Sequence, residues 1–423
     1  MIRTFFILAS AAIASLACAP LQAGDFAANL GSADLGEGEK LPFRVSATVR
    51  GGYDSNPLTN SGDILRFSDT GEIARDPVTG EILFVDEVEE SWFTTASLEL
   101  GKTFGGPRTQ LDIGATAAIT QYWDLTEDEW DPYLRLDLDL AHAVTPKFNI
   151  TANAYVSYQS EPDFFNESNA VLNGRRSGNY FYTNARVSAN YRWTPKFSTV
   201  TSYNFVNVMY DDAAPGAVED RFENIFAQEF RYLLAPKTTL TAQYRLNITT
   251  YDDSRGRDAL GHFITAGVDQ RFGPKFQATL RGGVPSRNQD DGTDRTSPYV
   301  EGKLDYQYRP DSTIGGFVRY GLENSSLPDA STENETFRIG MKLNHTFSQK
   351  LLGNASFYYQ NSQFSGTNVD RTEDTFNVGL GLTYFLTKHV FVDANYTFSM
   401  IDSDQAFSSY DRHRASLGLG ASF

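Results

Sequence analysis

Five histidines could act as general bases or metal ligands: His142, His262, His345, His389 and His413. A base works only within reach of a nucleophile and beside an acid that orients it. No histidine here stands near Ser and Asp in such an arrangement. Spacings of the His-x-x-x-His or Cys-x-x-Cys kind, which gather ligands around one metal, are absent from the sequence. Asp290-Asp291-Gly292-Thr293-Asp294 starts like a calcium loop but has no distal Glu to complete it, so it reads as a solvated turn. Gly379–Gly381 and Gly418–Gly420 keep a two-residue period unlike a loop that cradles phosphate. The expectation is a protein without catalysis, without a cofactor and without a metal.

The charge balance removes another class. With 53 acids against 36 bases and a net charge of −17, the chain lacks the clustered bases that phosphate backbones demand, so no nucleic-acid partner is expected. Its 22 Tyr, 31 Phe and 34 Gly point to one long β-protein. Residues 1–23 read as a secretory signal: Arg3, a short apolar run from Phe5 to Ala17, and Leu21-Gln22-Ala23 before the cleavage point. Removal of that segment takes Cys18, the single cysteine, with it. Lipidation of Cys18 is the alternative, which Ser15-Leu16-Ala17 fits poorly. Residues 24–42 then form a short periplasmic tail.

The elements that follow are strands. In Phe148-Asn149-Ile150-Thr151-Ala152-Asn153-Ala154-Tyr155-Val156, apolar residues take every second place, which gives one oily and one wet face. The texture recurs from Phe43 to Phe423 in about eighteen segments, each near the ten residues that a tilted membrane strand requires. Connections alternate between two kinds. Tight turns repeat a motif, Thr145-Pro146-Lys147-Phe148, Thr194-Pro195-Lys196-Phe197, Ala235-Pro236-Lys237 and Gly273-Pro274-Lys275-Phe276. Longer acidic stretches intervene: Asp211–Arg221, Pro285–Ser297, Glu323–Glu335 and Ser362–Glu373. Aromatics such as Phe148, Trp193, Phe197 and Phe276 sit beside the tight turns, and Tyr53, Trp92, Tyr158 and Tyr359 near the opposite ends, as two interfacial girdles would. The expected fold is all-β, a transmembrane antiparallel up-and-down β-barrel of about eighteen strands over residues 43–423. It belongs in the outer membrane of a Gram-negative bacterium, surrounded by lipid and lipopolysaccharide. The last strand, His413 to Phe423, resembles the C-terminal sorting signal of such barrels, which implies recognition of Phe423 by the barrel-insertion machinery.

If the oily phase faces lipid, the other phase lines a channel, and the bases fall there. Arg135, Arg186, Arg231, Arg245, Arg271, Arg281, Arg319, Arg338, Lys342 and Arg414 are the expected pore-lining residues. Arg50 and a set of inward acids, Glu229, Asp269, Glu301 and Asp393 among them, share the phase. Rings of Arg and Lys favour anions; an Arg–Asp lattice that only stiffens the wall is the blander reading. The connection 54–90 is the longest and holds a candidate hairpin around Pro77–Gly80, placed either inside the pore as a constriction or over its mouth.

Gly51-Gly52-Tyr53-Asp54-Ser55-Asn56-Pro57, where the first strand ends, resembles the Putative beta-barrel porin 2 family of proteobacterial outer-membrane proteins. The resemblance implies a porin-like barrel. Because some relatives are encoded beside exopolysaccharide synthesis and export, it also implies export partners in the periplasm. Two functions are carried forward. One is a channel for hydrophilic, anionic or polysaccharide cargo. The other is a structural or adhesive barrel whose acidic loops bind cations, lipopolysaccharide or an external partner.

Overall fold

The computed structural model describes residues 43–61, 63–65, 84–86, 88–125, 129–160, 178–211, 220–252, 258–290, 292, 294–323, 333–365, 370–405 and 408–423. The expected signal segment, the tail 24–42 and the Pro77–Gly80 turn lie outside the described residues.

Eighteen strands close into one ring. They are β1 (Arg44–Asp54), β2 (Ser91–Gly105), β3 (Thr109–Tyr122), β4 (Trp130–Thr145), β5 (Phe148–Gln159) and β6 (Tyr180–Arg192). Next come β7 (Phe197–Tyr210), β8 (Arg221–Ala235), β9 (Thr238–Tyr251), β10 (Ala259–Arg271), β11 (Phe276–Gln289) and β12 (Tyr299–Arg309). The last six are β13 (Ser312–Glu323), β14 (Glu333–Ser348), β15 (Leu351–Ser365), β16 (Asp370–Phe385), β17 (Val390–Ser403) and β18 (Tyr410–Ser422). Each pairs antiparallel with its sequence neighbours, and β1 pairs both with β2 (Arg50 opposite Thr95) and with β18 (Arg50 opposite Gly418). Closure leaves no unpaired edge, which is what a sheet in hydrocarbon requires. Asp294–Thr296 adds a short pairing to the outer end of β11, and Asp63–Leu65 pairs with Phe84–Asp86 as a separate small ribbon inside the long first connection.

The alternating sequence decides which side faces out. One phase presents Leu134, Leu136 and Leu138 of β4, Ile264 of β10 (67 % exposed) and Leu417 of β18 (71 % exposed). Apolar side chains that bare all around a sheet have hydrocarbon as their natural solvent. No helix among the described residues is long and apolar enough to cross a membrane; the crossing is made by strands.

The tight turns owe their form to a hydroxyl as much as to proline. In the β4–β5 turn, Thr145 Oγ1 accepts from the N–H groups of Lys147 and Phe148 at 3.2 and 3.1 Å. Thr194 does the same for Lys196 and Phe197, at 3.3 and 3.0 Å. Ser348 and Thr387 repeat the geometry in turns with no proline, caging Lys350 and Leu351, and His389 and Val390. Thr194→Ala is expected to lower stability by about 1 kcal/mol, the net worth of such bonds. Heat-modifiable mobility on gels reads the change.

The acidic stretches are shorter than the sequence suggests. Strands run 11 to 16 residues, past the height of a bilayer. Thus β11 continues to Gln289, β14 starts at Glu333, and Ser362–Glu373 is mostly the outer ends of β15 and β16. Above the hydrocarbon no oily phase is required, so the ladder goes on in polar residues and the alternation that betrays a strand fades.

Candidate channel wall

On the inward phase the strands carry charge, and the ladder decides which charges meet. Arg50 of β1 reaches over β18 to Asp393 of β17, Nε to Oδ1 at 2.9 Å and Nη2 to Oδ2 at 3.0 Å. Gly418 lies between them in register, and a Cβ there would come within 2.6 Å of Arg50 Cγ and 2.9 Å of Asp393 Oδ1. The glycine makes room for a bidentate pair that spans three strands. One tier further out, Arg412 of β18 donates from Nε to both oxygens of Asp54, at 2.9 and 3.1 Å, and from Nη2 at 2.5 Å. Arg414 Nε stands 3.6 Å from the same carboxylate, which is fully buried.

This seam gives the Gly51–Pro57 segment a physical role. Gly52 leaves room for the Phe93 ring, since a Cβ there would come within 2.5 Å of it. Asp54 supplies the counter-charge for β18. Buried Asn56 donates to the carbonyls of Asn60 and Asp411, at 2.8 and 3.2 Å, and so fixes the exit of the chain. Leu58 then packs against the inward aromatics Phe93 and Tyr122 together with Leu125.

The second focus is Arg281 on β11. Its guanidinium lies 3.6 Å from Glu229 of β8, 3.5 Å from Asp269 of β10 and 3.6 Å from Glu301 of β12. Each carboxylate has another partner. Arg231 pairs with Glu229, Thr279 Oγ1 donates to Asp269 at 2.9 Å, and Tyr299 donates to Glu301 at 2.8 Å.

The remaining expected residues take these places. Arg135 forks onto Asp137 of its own strand, with Nη2 to Oδ1 at 2.8 Å, and covers the Tyr155 ring at 4.7 Å. Arg245 lies over Phe263 at 3.9 Å, within electrostatic reach of Arg186, Arg319 and Glu301. Arg186 is exposed, opposite Asn153 and Asn204. Arg319 and Arg338 stand opposite each other on β13 and β14, and Arg319 faces Glu301 on its other side. Arg414 covers Phe93 at 4.5 Å. Arg271 is exposed at the short-turn end of β10, and Lys342 lies opposite Gly315.

Residues outside that expected set share the phase. Arg221–Glu223, Arg371–Glu373 and Arg412–Asp54 form buried pairs toward the outer end, and Arg287 is buried there too. For Arg221–Glu223 and Arg371–Glu373 the signal is an Arg and an acid two positions apart, which one strand face brings together, in stretches that read as loops or their edges; Arg412 and Asp54 meet only through the pairing of β1 with β18. The outer ends of β6 and β7 also turn apolar inside, where Tyr180, Tyr182, Val206, Val208 and Tyr210 pack with Tyr155.

Four histidines sit on the lipid phase, each with Nδ1 against a hydroxyl of another strand, the next one for three of them and the next but one for His345. His142 meets Thr109, His262 meets Tyr244 and His413 meets Tyr396 at 2.8 Å, and His345 meets Tyr308 at 2.6 Å. His345 belongs to a belt of rings, Phe272–Phe276–Tyr306–Tyr308–His345–Phe347, with successive centroids 4.4 to 6.1 Å apart. His389 stacks on Phe423 at 5.1 Å. Among the described residues no cluster of His, Cys, Asp and Glu could hold a metal ion.

A closed ring with an apolar outside and a charged inside is the plan of an outer-membrane barrel, and the family signature of Putative beta-barrel porin 2 matches residues 88–423. The chain belongs to that family. It is a porin-like β-barrel of the outer membrane. No curated protein matches the sequence. Among solved structures it is similar to OccAB4 of Acinetobacter baumannii, at 11 % identity over 91 % of this chain and 99 % of that one, with a TM-score of 0.42. It is also similar to OpdK of Pseudomonas aeruginosa in its structure with vanillate, at 12 % identity, 90 % and 99 % coverage and a TM-score of 0.44. A BenF-like porin of Pseudomonas fluorescens aligns at 11 % identity, 91 % and 100 % coverage and a TM-score of 0.44. Likenesses at this identity concern barrel architecture alone.

Proposed function

We propose that this porin-like barrel conducts hydrophilic solutes with a preference for anions, and that an acidic exopolysaccharide on its way out of the cell is the polymer its wall fits. One contrast carries the reading. The whole chain is strongly acidic, at −17, yet the inward phase from β9 to β14 is rich in bases, with Arg245, Arg271, Arg281, Arg319, Arg338 and Lys342 on it. Guanidinium forks suit carboxylate and phosphate, and a basic lining concentrates anions. Inward amides such as Asn153, Asn184 and Asn204 offer hydrogen bonds to hydroxyl groups along the same wall.

Purified barrel in planar bilayers under a salt gradient is expected to give discrete conductance steps and a reversal potential of anionic sign. A cation-selective pore rejects the anion preference. A silent barrel rejects the channel and leaves the structural or adhesive reading. Loss of surface polysaccharide in a deletion strain, restored by the wild-type gene, tests the cargo.

A further inference from the structure

The tight turns, which outer-membrane barrels place on the periplasmic side, carry bases in an ordered position. Arg108, Lys147, Lys196, Lys237, Lys275 and Lys350 occupy the third place of six turns, and all are exposed. None has an ion-pair partner among the described residues.

The ladder says which way these positions face. It runs one step beyond the strand pairs Thr109–His142, Phe148–Tyr191, Phe197–Tyr232, Thr238–Gln270, Phe276–Tyr306 and Leu351–Tyr384. In that extra step the N–H groups of Ala143, Arg192, Leu233, Arg271, Gln307 and Phe385 donate to the carbonyls of the six bases, each at 2.7 or 2.8 Å. The residues that follow, Phe148, Phe197 and Phe276 among them, are in the lipid phase. Each base is therefore in the inward phase of its strand. Lys147 stands opposite Arg192 and Lys237 opposite Arg271, like-charge neighbours that a sheet tolerates poorly without a counter-ion. Beside the second pair, a cleft of about 540 Å³ is lined by Arg271, Lys275 and Lys342 with Asp305 and several amides. At the Arg309-Pro310-Asp311 turn, where the third place is acidic, Arg309 stands two residues away.

We infer that the periplasmic mouth is a basic collar that gathers a polyvalent anion, a carboxylate-bearing sugar chain, from the periplasmic side before it enters the barrel. The inference rests on the channel reading and adds a side and a point of entry. Anionic lipid headgroups are the rival occupant. The inward register argues against them, since a headgroup ligand would be met from the lipid phase.

The test is block of single-channel current in phosphatidylcholine bilayers by a linear oligogalacturonate of about ten units, with a neutral dextran of similar length as reference. The uronate is expected to block when added to one chamber and not the other, and to lose its block as salt is raised. The quadruple variant K147Q/K196Q/K237Q/K275Q, which touches only exposed turn positions, is expected to conduct normally and to bind the blocker about tenfold more weakly, because several exposed charges each contribute a little. Lys102, over the Phe104 ring at 4.8 Å and on the lipid phase of the same rim, supplies the contrast. K102Q is expected to leave block unchanged. Equal block from both chambers, undiminished block in the quadruple variant, or an equal loss in K102Q overturns the collar while the channel stands. A wild-type barrel that passes no current overturns the channel reading, and the collar with it.

Discussion

Asp54→Ala is expected to open the barrel at its seam. Asp54 is fully buried and receives a bidentate guanidinium from Arg412, whose own side chain is 8 % exposed, with Arg414 close by. Removal of the carboxylate strands those cations inside the wall. Breaking one side of a buried pair costs about 3–5 kcal/mol, a large part of the stability of an ordinary folded domain. The location raises the stakes. Arg412 and Asp54 are 358 positions apart, and their strands are the two that must meet for the ring to close. Failure there exposes two edges to hydrocarbon at once. The expected outcome is a lower transition in heat-modifiable mobility and more protease-sensitive, unassembled chain. Because replacing both partners of a buried pair by apolar groups is often close to neutral, D54A/R412L is expected to recover much of the loss. A single variant as stable as wild type would show that the seam is held by its backbone ladder alone.

The seam marks the limit of what the sequence could tell. Alternation along each segment reveals which side chains share a face, and period 2 alone puts Arg281, Glu229, Asp269 and Glu301 on one phase. Periodicity says nothing of register. That three carboxylates from three other strands converge on Arg281, or that Arg50 arches over Gly418 to a residue 343 positions away, depends on pairings that no local pattern contains. The Gly-Gly-Tyr-Asp-Ser-Asn-Pro run stood out as a motif, but its reason lies in partners at the far end of the chain. Arg221, Arg287, Arg371 and Arg412 escape a reading of alternation for another cause. They lie where strands rise above the bilayer, and the oily phase that identifies a strand is no longer imposed. The turn motif is legible by its proline, but its hydroxyl is what closes the turn: Ser348 and Thr387 show that the hydrogen-bonding residue recurs where proline does not.

Arg281→Gln separates a conducting wall from a stiffening lattice. Arg281 approaches Glu229, Asp269 and Glu301 at 3.5–3.6 Å, beyond good hydrogen-bond distance, so its contribution is mainly a positive charge held among three negative ones. The carboxylates keep Arg231, Thr279 and Tyr299 as direct partners, and the fold is expected to survive. What changes is the local balance. Glu229, Asp269 and Glu301 keep Arg231 and the Arg319 opposite Glu301 as facing bases, and loss of Arg281 moves the local balance one unit toward negative at the wall. If ions pass this cluster, the anion-to-cation permeability ratio should fall several-fold at low salt, and less at high salt where the field is screened. Arg281→Glu should carry the shift further, to outright cation preference, at nearly unchanged single-channel conductance. The lattice reading expects the reverse pattern: a lower melting transition, with a reversal potential that stays where the wild type puts it. The two readings therefore part on a single pair of measurements made on one folded variant, and a conducting R281Q barrel of unaltered selectivity would remove Arg281 from the ion path.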